Sequence, residues 1–62
     1  MNAQQAIQTL KDAKVFDAFI DSALETNLDK MVILLAYATN KVWSANEVFE
    51  VYTEAGKHYK LH

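Results

Sequence analysis

The chain has 62 residues, a net charge of −2 and no cysteine. This length allows one domain, residues 1–62, and the lack of cysteine excludes disulfides. The small negative charge gives no general attraction to nucleic acid or to anionic membranes. Hydrophobic residues make up 52% of the chain, with one Gly and no Pro. This composition favours a folded, helical protein over a disordered or β-rich one.

The first predicted helix is short. Four apolar residues follow the i, i+3, i+4, i+7 spacing of one helical face: Ala3, Ala6, Ile7 and Leu10. The pattern loses phase near residues 11–13, where Asp12 is a candidate N-cap for a new helix. One bent helix through this point is the alternative.

The second predicted helix, at about 13–26, is amphipathic. One arc carries the apolar residues Phe16, Phe19, Ile20, Ala23 and Leu24. The opposite arc carries Lys14, Asp17, Asp21 and Glu25. The acidic row on this arc is typical of a solvated face. Residues 26–29 then predict a stop, where the second helix ends, and a restart, where the third begins, with Thr26 or Asn27 as the next N-cap.

The third predicted helix, at about 28–42, contains eight consecutive apolar residues, from Met31 to Ala38. Its main stripe is Leu28, Met31, Leu35, Ala38 and Val42. Ile33 and Tyr37 lie far round from that stripe. A helix that is apolar nearly all round is buried on more than one side. A buried strand is the alternative for a short apolar run, and the Ala and Leu content and the caps decide against it.

The fourth predicted helix, at about 45–58, has the clearest start signal. Ser44 and Glu47 form a capping box, and Trp43 and Val48 have the spacing of a hydrophobic staple. The inner face carries Val48, Val51, Tyr52, Ala55 and Tyr59. Gly56 predicts fraying or a C-terminal cap.

These elements predict an all-α fold: a compact bundle of three to four short helices with a central apolar helix near 28–42. The second and fourth helices pack on that central helix. Ile33, Tyr37 and Trp43 are the side chains that one small chain is least able to cover, so they are predicted to form a protein interface. The simplest partner is a second copy in a two-fold dimer.

No set of residues predicts catalysis, a cofactor or a metal site. His58 and His62 are four residues apart, with Glu54 as the nearest further ligand, but chain ends fray and a solvated tail is the expected state. A bundle of this size also offers little room for a pocket of about 300 Å³ or more. We therefore expect a protein that is not an enzyme.

The favoured function is non-catalytic protein–protein binding by an adaptor, inhibitor or assembly factor, as in bacterial or phage accessory proteins of this size. The N-terminus lacks the pattern of a signal peptide, and residues 31–38 are too short to span a bilayer, so a cytoplasmic protein is expected. The alternative is a helix-turn-helix DNA-binding regulator that reads DNA with the fourth helix. Three of the six residues expected on its outer face are acidic, which disfavours contact with phosphate: Asn46, Glu47, Glu50, Thr53, Glu54 and Lys57.

Overall fold

Four α-helices follow one another along residues 1–59. The computed structural model describes the backbone of residues 1–59 and the side chains of residues 1–57. The helices are α1 (Ala3–Asp12), α2 (Phe16–Leu24), α3 (Leu28–Thr39) and α4 (Ala45–Tyr59). No strand occurs within the described residues, and the helices pack against one another into a compact globule. The predicted all-α bundle is therefore confirmed.

The first two helices are separate elements, so the alternative of one bent helix is wrong. Lys14 adopts the left-handed conformation, with φ of 63°. The backbone N–H groups of Lys14 and Val15 bond back to carbonyls in the last turn of α1, at 3.0 Å each. This pattern ends a helix. Asp12 is the last residue of α1 and not the cap of α2, which begins at Phe16, later than predicted.

The turn between α2 and α3 confirms the predicted stop and restart. Thr26 is left-handed, with φ of 54°, and ends α2 by the same backbone pattern. Asn27 is the N-cap of α3, where its side-chain oxygen accepts a hydrogen bond from the Lys30 N–H at 3.1 Å. Asp29 lies in the first turn of α3, where its negative charge stabilises the helix.

Helix α3 ends at Thr39, three residues before the predicted end. Asn40 is left-handed, with φ of 57°, and its N–H bonds to the Ala36 carbonyl at 2.8 Å. The chain leaves the helix at this point, so Val42 does not continue the apolar stripe of α3. Its side chain is 84% exposed.

Helix α4 begins with the predicted capping box. The Ser44 hydroxyl oxygen accepts a hydrogen bond from the Glu47 N–H at 3.3 Å, and the Glu47 carboxylate accepts one from the Ser44 N–H at 3.1 Å. Gly56 lies inside α4, which continues to Tyr59, so Gly56 is not a C-terminal cap. The Tyr59 side chain, which is predicted to face inward, lies outside the described part of the chain.

The core takes residues from all four helices and from the connection between α3 and α4. Its buried apolar members are Ala6, Ile7, Leu10, Phe16, Phe19, Ile20, Ala23, Met31, Leu35, Trp43, Val48, Val51 and Ala55. Helix α3 contacts each of the other three helices, as every helix of this bundle does. This chain buries α3 on one side only, because Met31 and Leu35 are its only buried residues.

Candidate binding surface

The outer side of α3 carries two large apolar side chains that the chain leaves uncovered. Ile33 is 65% exposed and Tyr37 is 72% exposed. They are four residues apart, so they lie on one face in successive turns of the helix. We call this pair the α3 ridge. The helical period places it away from the stripe that faces the core, as the sequence predicts.

Trp43, the third predicted interface residue, belongs to the core. The expectation that one chain would leave it uncovered is wrong, because its side chain is only 5% exposed. The indole N–H donates to the Thr39 hydroxyl at 2.7 Å, and that hydroxyl donates to the Leu35 carbonyl at 2.6 Å. The Lys41 ammonium lies over the indole ring, 4.1 Å from its centroid. Thr39 and Lys41 of the same chain thus contact the Trp43 side chain, so its burial needs no second chain.

Lys41 also forms an ion pair with Glu47 in the first turn of α4. Its ammonium donates to the Glu47 carboxylate at 2.9 Å, and that carboxylate also accepts the Ser44 N–H. The hydrogen bond from Lys41, followed by those from Ser44, lowers the pKa of Glu47 from 4.5 to about 2. The Glu47 carboxylate therefore belongs to the capping box and also binds Lys41, the lysine that lies over Trp43.

Replacing Glu47 with Gln should remove part of the acid sensitivity of the fold. The folded pKa of Glu47 lies below its unfolded value, so the ionised group stabilises the fold above about pH 4.5, and this stabilisation is lost as the pH falls toward 2. Melting temperatures measured through this range should fall more steeply for the wild type than for Glu47→Gln. The difference should be small, because both side chains of the pair are partly exposed. Parallel curves for the two proteins would contradict the arrangement.

A second uncovered apolar surface lies between the turn after α2 and the first half of α4. It is an open groove of about 430 Å³, which exceeds the roughly 300 Å³ for which the size of the chain predicted little room. We call it the Phe49 groove, because Phe49 is 65% exposed at its edge. The lining residues are Ala23, Thr26, Leu28, Met31, Ala45, Asn46, Val48, Phe49 and Tyr52. This groove was not predicted from the sequence, although Phe49 directly follows Val48 of the predicted inner face of α4.

The acidic row of α2 is exposed to solvent at Asp17, Asp21 and Glu25, as predicted. Within the residues whose side chains are described, no three His, Cys, Asp or Glu groups lie close enough together to hold a metal ion. The side chains of His58 and His62 lie outside that part of the chain.

No helix within residues 1–59 has the length and apolar character needed to cross a bilayer. In comparisons with known proteins, no family model, no curated protein and no solved structure matches the chain.

Proposed function

We propose that the protein is a non-catalytic protein-binding module that associates through the outer face of α3, and that a second copy of the chain is its first partner. The observation that carries this proposal is the exposure of Ile33 and Tyr37 on adjacent turns of one helix. Adaptors, inhibitors and assembly factors act by such binding alone. The proposal assigns the protein to the cytoplasm.

The physical support comes from the free energy of burial. Covering a large aliphatic or aromatic side chain contributes about 1.5–3 kcal/mol. Amphipathic helices bind partners through side chains spaced three, four and seven residues apart, and Ile33 and Tyr37 have the four-residue spacing. Tyr is also enriched in protein interfaces, because its ring is apolar and its hydroxyl can stay in contact with water.

Replacing Tyr37 with Glu should abolish association and leave the fold intact. The new charge would lie in the middle of the contact, whereas in the isolated chain this position faces solvent. Sedimentation equilibrium measures the association, and far-ultraviolet circular dichroism measures the helix content.

Val42→Glu is the matched control for Tyr37→Glu. It also puts a carboxylate in place of an exposed apolar side chain, but outside α3, just before the start of α4. We expect it to associate like the wild type. If the Tyr37→Glu monomer is unfolded, Tyr37 is needed for the fold itself and the proposal is refuted. If Tyr37→Glu associates as strongly as the wild type, the proposal is also refuted.

The DNA-binding alternative predicts that the protein is retained on a DNA column at low salt. Contacts with phosphate make binding fall steeply as salt is added. Two of the lysines are already paired within the chain, Lys41 with Glu47 and Lys57 with Glu54. We therefore expect no retention on heparin or DNA columns at low salt. Retention that is lost as salt rises would favour the DNA-binding regulator instead.

A further inference from the structure

We draw no further inference here: the strongest candidate, the Phe49 groove between the turn after α2 and the first half of α4, is an uncovered apolar surface with exposed residues of both charges beside it, and nothing in the structure shows what covers it.

Discussion

Replacing Phe19 with Ala should leave the protein largely unfolded at room temperature. Phe19 is fully buried in the middle of α2, in the core shared by all four helices. Truncating a buried Phe to Ala costs about 3–5 kcal/mol, through lost apolar contact and the cavity left behind. The core of a protein this small rarely supplies more than about 3–5 kcal/mol of stability. Far-ultraviolet circular dichroism and urea titration measure the loss.

Phe49→Ala is the matched control for Phe19→Ala. The chemical change is identical, but Phe49 is 65% exposed on α4. We expect its urea midpoint to stay close to that of the wild type under conditions where the protein is monomeric. A Phe19→Ala protein with a near-native, cooperative transition would contradict the position of Phe19 in the core.

Replacing Trp43 with Ala should also destabilise the fold strongly, by about 3–5 kcal/mol. The truncation removes a buried indole, its hydrogen bond to Thr39 and the surface on which the Lys41 ammonium lies. Trp43→Phe should cost much less, because it keeps an aromatic ring under Lys41 and loses one hydrogen bond, worth about 1 kcal/mol. Urea denaturation of both variants, followed by circular dichroism, gives the free energies.

The Trp43 variants separate a core residue from an interface residue. Tyr37→Ala is the comparison, since Tyr37 is 72% exposed, and we expect it to weaken association with little effect on the stability of the monomer. A Trp43→Ala protein that kept the stability of the wild-type monomer and lost only association would contradict the structure and restore Trp43 to the interface.

The fold could be predicted from the sequence because its signals are local. Apolar residues recur at helical spacing in all four segments, and Ser44 with Glu47 marks the start of α4. The helix ends were predicted less well. Lys14 and Asn40 end α1 and α3 in the left-handed conformation, a role that Gly most often fills. No Gly stands at either position, so these helix ends could not be recognised from the residue types.

The uncovered surfaces could be predicted only in part. The helical period alone places Ile33 and Tyr37 away from the main stripe of α3, and both are exposed. The position of Trp43 depends on how the chain turns after Thr39 and on where Lys41 falls, neither of which periodicity specifies. The Phe49 groove lies between residues of α2, α3 and α4 that are distant in sequence, so it exists only once the helices have packed.

The central claim is that one chain leaves the α3 ridge open and that association covers it. Sedimentation equilibrium of the wild type, from low micromolar to millimolar concentration, tests this claim most directly. We predict an average mass that rises with concentration above the 7.0 kDa of one chain. A single folded species of one-chain mass across the whole range would contradict the account.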